Sequence, residues 1–171
     1  MACALGRARE GEIMNIDTRP SARWLRWLYR GGRPGRLARA MNRFSAVLHA
    51  SGLVPRWVTL DVPGRRTGRI ISFPLVLADH GGERYLVAML GSRTNWVLNL
   101  RAAGGRAVLR HGRRGSVRLI EVEPAERAPI LRRYLALAPG ARPHIPVERH
   151  APLEDFESIA PRFPVFRITV P

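Results

Sequence analysis

The sequence predicts a mainly β fold with added helices (α+β), built as about six short strands in a small closed or split barrel preceded by two helices. Three observations predict it. Short runs of β-branched and aromatic residues recur from Trp57 to the C-terminus, bounded by glycine, proline or polar turn residues. The runs follow one another through short turns, which suits antiparallel neighbours in a barrel rather than a doubly wound sheet. Two stretches of helical periodicity come before them.

Residues 1–18 show no periodicity and are expected to be disordered, with Met14 an alternative start. A basic region over 19–52 follows. Arg19, Arg23, Arg26 and Arg30 share one helical face, Trp24, Leu25 and Leu28 share the other, and Trp27 lies on the border. Gly31-Gly32 and Pro34-Gly35 break this helix. A second runs from about Arg36 to Ala50, with Leu37, Met41, Phe44 and Leu48 as a buried stripe, and Ser51-Gly52 ends it. No acidic residue occurs between Asp17 and Asp61, so both helices carry a positive surface.

The barrel is expected over 53–171. Trp57–Leu60 is a strand, Pro63–Gly68 a turn, and Arg69–Ala78 a second strand. His80-Gly81-Gly82 turns the chain into a third, Tyr85–Leu90. A polar loop leads to a short helix capped by Asn95 and stopped by Gly104-Gly105. Ala107–Arg110 and Ser116–Val122 read as a hairpin joined through Gly112 to Gly115. Pro124 opens a helix at its first-turn position, with Glu123 and Glu126 near that end, Arg132 and Arg133 near the other, and Pro129 kinking or delaying it. Beyond Pro139-Gly140 lies a loop rich in proline and histidine, then a short helix at Leu153–Ile159 and a last strand at Pro164–Val170.

With 171 residues, 46% hydrophobic and 25% charged, the chain reads as an ordinary globular protein with one core. The absence of a long apolar run or a signal-peptide core gives a cytoplasmic expectation, and the single Cys3 excludes an internal disulfide. The formal charge is +16, and all 29 basic residues are arginine. Such a balance points to nucleic acid, an anionic membrane surface or an anionic ligand, or reflects coding bias with arginine at ordinary surface positions. No nucleic-acid reading motif is present, so no specific nucleic-acid partner is expected. The Arg/Trp helix suits the inner face of a membrane, where indole rings favour the headgroup zone; packing of the tryptophans on the barrel is the alternative.

Hydrolytic and metal chemistry find no motif. His49, His80, His111, His144 and His150 lack metal-ligand spacing, and Gly-x-Ser-x-Gly, Walker and Rossmann patterns are missing. Glu154-Asp155 reads as a helix-start charge pair. What remains is two loops flanking one hairpin, Gly64-Arg65-Arg66-Thr67-Gly68 and Gly91-Ser92-Arg93-Thr94. Glycine N–H groups and arginine forks there could hold an anion, although an arginine-rich β-turn is the plainer reading.

Gly64-Arg65-Arg66-Thr67-Gly68-Arg69, then Phe73-Pro74-Leu75, then Asn95-Trp96-Val97-Leu98-Asn99-Leu100-Arg101-Ala102-Ala103-Gly104-Gly105 resembles the deazaflavin (F420)-dependent nitroreductase and quinone reductase family. The similarity covers roughly Val58 to Val122. It implies an FMN-binding-like split β-barrel and an oxidoreductase that passes a hydride from reduced coenzyme F420 to a quinone, nitro compound or activated double bond. FMN is the alternative cofactor, and a non-catalytic carrier of F420, FMN or another anionic ligand is the alternative function. By the resemblance, Arg65, Arg66, Thr67 and Gly68 hold the cofactor phosphate and acidic tail. Phe73 and Pro74 border the ring, while Met89, Leu90, Gly91, Ser92 and Arg93 wrap the ring and ribityl region. Trp96 and Asn99 fix that loop. Tyr134 matches a region where family tyrosines line the substrate pocket; packing on the barrel is its other reading. The family's Ser-Lys-Gly is absent, so Arg93 takes over the lysine's role, and Ile71 stands where a basic residue is frequent. The resemblance allows a monomer or a homodimer, and some members are membrane-associated.

Overall fold

A computed structural model of the chain describes residues 55–170. The expected disordered segment 1–18 and the basic helices of 19–52, with Cys3, Met14, Trp24 and Trp27, lie outside the described residues.

Six antiparallel strands close into a barrel: β1 (Trp57–Pro63), β2 (Ile70–His80), β3 (Glu83–Val87), β4 (Arg106–His111), β5 (Arg113–Glu121) and β6 (Val165–Thr169). The order around the barrel is β1-β2-β3-β6-β5-β4. Strand alternation turns Val58, Leu60 and Val62 of β1 inward, where they meet Leu86, Leu109, Val117, Leu119 and Phe166. The barrel is uneven. β1 pairs with β2 along Ile70–Val76, but β3 pairs only with Leu77–His80. No described strand therefore covers the second edge of Ile70–Val76. The β1–β4 seam is also short, from Thr59–Arg110 to Asp61–Val108.

Helix α1 (Asn95–Ala102) packs on the barrel interior through Trp96, Val97 and Leu100. The Trp96 ring meets Phe166 edge-on, with centroids 5.2 Å apart. Each such side chain contributes about 1.5–3 kcal/mol by leaving water. Helices α2 (Arg127–Leu137) and α3 (Leu153–Ile159) build a second core, where Ile130, Leu131, Tyr134, Leu135 and Phe156 cover Ala78, Tyr85 and Val87 of β2 and β3.

Several boundaries differ from expectation for identifiable reasons. β4 and β5 turn on Gly112 alone, at φ 69°, and Gly115 sits inside the ladder opposite Leu109 rather than in the turn. A positive φ lets glycine reverse the chain in little space. Pro124 opens a 3-10 turn, Pro124–Glu126, and α2 starts after it. Pro129 thus lies in the first turn of α2, where its missing N–H has no helical partner to lose. Glu126 occupies the N-cap position of α2 and Glu123 precedes it, as expected, whereas Arg132 and Arg133 fall in its middle, so the C-terminal end lacks the expected charges. Thr94, not Asn95, occupies the N-cap of α1, without a side-chain capping bond. β3 ends at Val87, leaving Leu90 in a loop and 47% exposed. Glu154 and Asp155 do lie in the first turn of α3, as the helix dipole favours.

Candidate functional site

The two loops singled out by sequence have closely specified backbones. In the first, Gly64 donates its N–H to the Arg69 carbonyl at 2.8 Å, and Gly68 donates to the Gly64 carbonyl at 2.8 Å. Gly64 is packed tightly: a Cβ there would lie 3.1 Å from Ile71 Cδ1 and 3.2 Å from the Arg69 carbonyl. The Thr67 hydroxyl accepts from the Arg69 N–H at 3.4 Å. In the second loop, Gly91 takes φ +86° and donates to the Ala88 carbonyl. Its own carbonyl accepts from the Thr94 hydroxyl at 3.0 Å.

A direct bond joins the first loop to α1, the helix that the second loop leads into. Asn99 is 2% exposed, and its Oδ1 accepts from the Arg65 N–H at 3.3 Å and from Arg65 Nη1 at 2.8 Å. Arg65 Nη1 also approaches Asn95 Oδ1 at 3.4 Å. A buried amide oxygen needs a donor, and an ionised donor makes a stronger bond than a neutral one. Arg65 therefore braces the turn through Nη1, while its Nε and Nη2 have no partner among the described residues. Arg66, Arg69 and Arg93 are exposed and make no side-chain hydrogen bond or ion pair with the described residues.

Between the loops runs the β2 segment that β3 leaves uncovered. Phe73 and Pro74 are half-buried there, opposite Leu60 and Thr59 of β1. Proline is tolerated at such an edge because its missing donor breaks no ladder bond. Ile70 and Ile71 on this segment are exposed, as is Leu90 on the second loop, whereas Met89 packs against the α2 core. Ser92 is exposed, and Trp96 lies inside the barrel. Tyr134 stands elsewhere, 3% exposed in the core around α2, and burial pushes the pKa of its hydroxyl well above the ordinary value.

Sequence reasoning missed a polar network beside this segment. Asp61 is 5% exposed on β1 and accepts from the Ser72 hydroxyl at 2.6 Å and from Arg110 Nη2 at 2.9 Å. Arg110 Nε lies 2.9 Å from the other Asp61 oxygen, close enough for an ion pair but off the line of a hydrogen bond. The available signal was one carboxylate inside an otherwise apolar strand. The network ties β1, β2 and β4 together just before Phe73. No group of three metal-ligating side chains occurs among the described residues.

The family model described as F420H(2)-dependent quinone reductase matches residues 36–151, more than half of the chain. Among solved structures, the chain is similar to a protein of unknown function from Agrobacterium tumefaciens, at 16% identity and TM-score 0.48, over 77% of this chain and 54% of that one. It thus spans about half the length of that protein. It is also similar to an F420-H2 dependent reductase, at 21% identity and TM-score 0.43, over 67% of this chain and 94% of that one. A heme binding protein from Mycobacterium smegmatis is similar at 15% identity and TM-score 0.45, over 81% of this chain and 52% of that one. No curated protein matches the chain.

Proposed function

The chain belongs to the F420H(2)-dependent quinone reductase family, and from that premise we propose that it transfers a hydride from reduced coenzyme F420 to a quinone. Nitro compounds and activated double bonds are the further acceptors to test. The observation that carries the reading is the Arg65–Asn99 brace, which sets the Gly64–Gly68 turn beside the helix that follows the Gly91 loop.

The donor set fits the coenzyme. Arg66, Arg69 and Arg93 are exposed cations on the two loops and their flank, suited to a phosphate and an acidic tail. Gly68 and Gly91 adopt positive φ, which allows close backbone approach. Phe73, Pro74, Met89 and Leu90 offer apolar surface to a ring, and the uncovered β2 edge offers backbone polar groups to the ring's rim. Thr67 and Ser92 contribute hydroxyls. When bound, reduced F420 supplies the hydride. The chain's part is to orient: Asn99 holds Arg65, Trp96 anchors α1 in the barrel, and Asp61 holds Ser72 next to Phe73.

Membrane-surface docking through the segment 19–30, whose sequence pattern predicts an arginine- and tryptophan-bearing helix, belongs to the same proposal, because a quinone is an apolar substrate. No helix among the described residues is long and apolar enough to cross a membrane.

The test is a fluorescence titration of the full chain with oxidised F420 and, in parallel, FMN, followed by turnover of reduced F420 with a soluble quinone. Tight F420 binding, weakened by Arg66→Ala, together with quinone-dependent oxidation is the expected result. Selective FMN binding would change the cofactor, and binding without turnover would make the protein a carrier. Sedimentation with anionic vesicles checks the membrane component separately.

A further inference from the structure

At the other end of β2, about 30 Å along the strand from the Gly64–Gly68 turn, a cleft of about 410 Å³ opens between α2 and the loop before α3. Its walls carry Arg132 and Arg133 from α2, Arg149 and His150 from the loop, and His80 from the end of β2. The rest of the lining is small and apolar: Pro129, Ala136 and Ala151. Pro129, Arg132, Arg133 and Ala136 fall at i, i+3, i+4 and i+7, one face of the helix.

Among the described residues, the positive charge here is only partly balanced by carboxylates. Asp79 is the one carboxylate seen to engage the cleft's arginines among the described residues. Both of its oxygens accept from Arg133 Nη2, at 3.1 and 3.2 Å, and Arg133 Nε donates to the Asp79 carbonyl at 3.2 Å. That carboxylate also lies 3.6 Å from Arg56 Nε. Arg132 and Arg149 make no ion pair or side-chain hydrogen bond with the described residues. Two guanidinium groups without a partner among the described residues, presented by separate elements beside small apolar side chains, form a site matched to forked recognition of oxyanions. The volume lies within the roughly 300–1,000 Å³ of small-ligand sites.

We propose that this cleft is a second anion site, separate from the coenzyme loops, which binds a small multivalent oxyanion of the phosphate-ester or pyrophosphate class. Arg132 and Arg149 are its primary contacts. Arg133, already fixed by Asp79, sets the wall between them.

Calorimetric titration of the full chain with inorganic pyrophosphate at fixed ionic strength tests this. The native chain is compared with R132A/R149A, with R132Q/R149Q, and with R113A, which removes an exposed arginine on β5 outside the cleft. Each comparison is repeated in an R66A background, so that binding at the coenzyme loops is removed from the readout. The expected result is affinity about tenfold or more weaker in both double variants and unchanged in R113A, with circular dichroism unaltered. Equal loss in R113A would reduce the effect to the diffuse field of a basic protein. Unaltered affinity in the double variants, or no binding once Arg66 is removed, would overturn the site.

Discussion

Asn99 Oδ1 accepts two hydrogen bonds from Arg65, a residue 34 positions earlier, one from its backbone at 3.3 Å and one from its guanidinium at 2.8 Å. One buried amide on α1 therefore sets both the path of the glycine turn and the direction of its first arginine. Arg65 is held through Nη1, and its Nε and Nη2, like the neighbouring Arg66, have no side-chain partner among the described residues.

Replacing Asn99 by leucine removes that acceptor, leaving the Arg65 backbone N–H without its partner and the guanidinium with only the longer contact to Asn95. The expected loss is about 1–2 kcal/mol in urea denaturation, with weaker F420 binding. Arg65→Ala removes the guanidinium bond but keeps the backbone N–H donor to Asn99, so its loss is expected to be smaller. In a double-mutant cycle the two losses are less than additive, with a coupling of about 1–2 kcal/mol. Full additivity would show that the bond does not matter.

Arg127 is 5% exposed, donating to the Val122 carbonyl at 2.7 Å and to the Ala160 carbonyl at 3.3 Å. Its Nη2 also meets Glu121, which accepts a two-pronged pair from Arg101. Burial lowers the guanidinium's pKa, and Glu121 opposes that shift. Arg127→Ala is expected to destabilise the fold by about 3 kcal/mol, because two carbonyls and a carboxylate lose a common donor. Thermal unfolding with a lysine variant as comparison measures it; lysine recovers only part, lacking the fork.

The Arg133 hydrogen bonds hold the Asp79 carboxyl below the ordinary carboxylate range. A depressed folded pKa means that this contribution to stability is complete above the unfolded value and is lost as pH falls through the folded one. The stability difference between the native chain and Asp79→Asn is therefore constant near neutrality and shrinks in acid. It is small, since both groups are exposed, and it diminishes in high salt. Denaturation midpoints from pH 7 to pH 2 check the sign.

Tyr134 separates two roles cleanly. Its hydroxyl stays protonated at every pH at which the protein would be assayed, because burial disfavours the phenolate. Tyr134→Phe keeps the ring in the α2 core and is expected to change turnover by less than about twofold, whereas Tyr134→Ala costs about 3–5 kcal/mol in stability. A tenfold fall in kcat for the phenylalanine variant, with the melting temperature unchanged, would instead identify Tyr134 as a proton donor.

The sequence by itself determined the element types of the described residues and marked the two loops proposed to hold the coenzyme. Val58-Leu60-Val62 and the run from Ile70 to Leu77 alternate or concentrate β-branched residues, Gly64–Gly68 and Gly91 mark turns, and the two motifs identify the family. These signals are local, because strand alternation and turn conformation depend on near neighbours in the chain. Only the tertiary structure decided which side chains are free to act. Arg65 is committed to Asn99, Asp61 to Arg110 at a separation of 49 residues, and Arg133 to Asp79 at 54. Tyr134 faces a core, and three arginines of two separate elements line one cleft. Such pairings follow from helix docking and from strand register, where a shift of one residue would turn each strand side chain to the opposite face. Composition counts the arginines, but register and docking determine which of them are already paired.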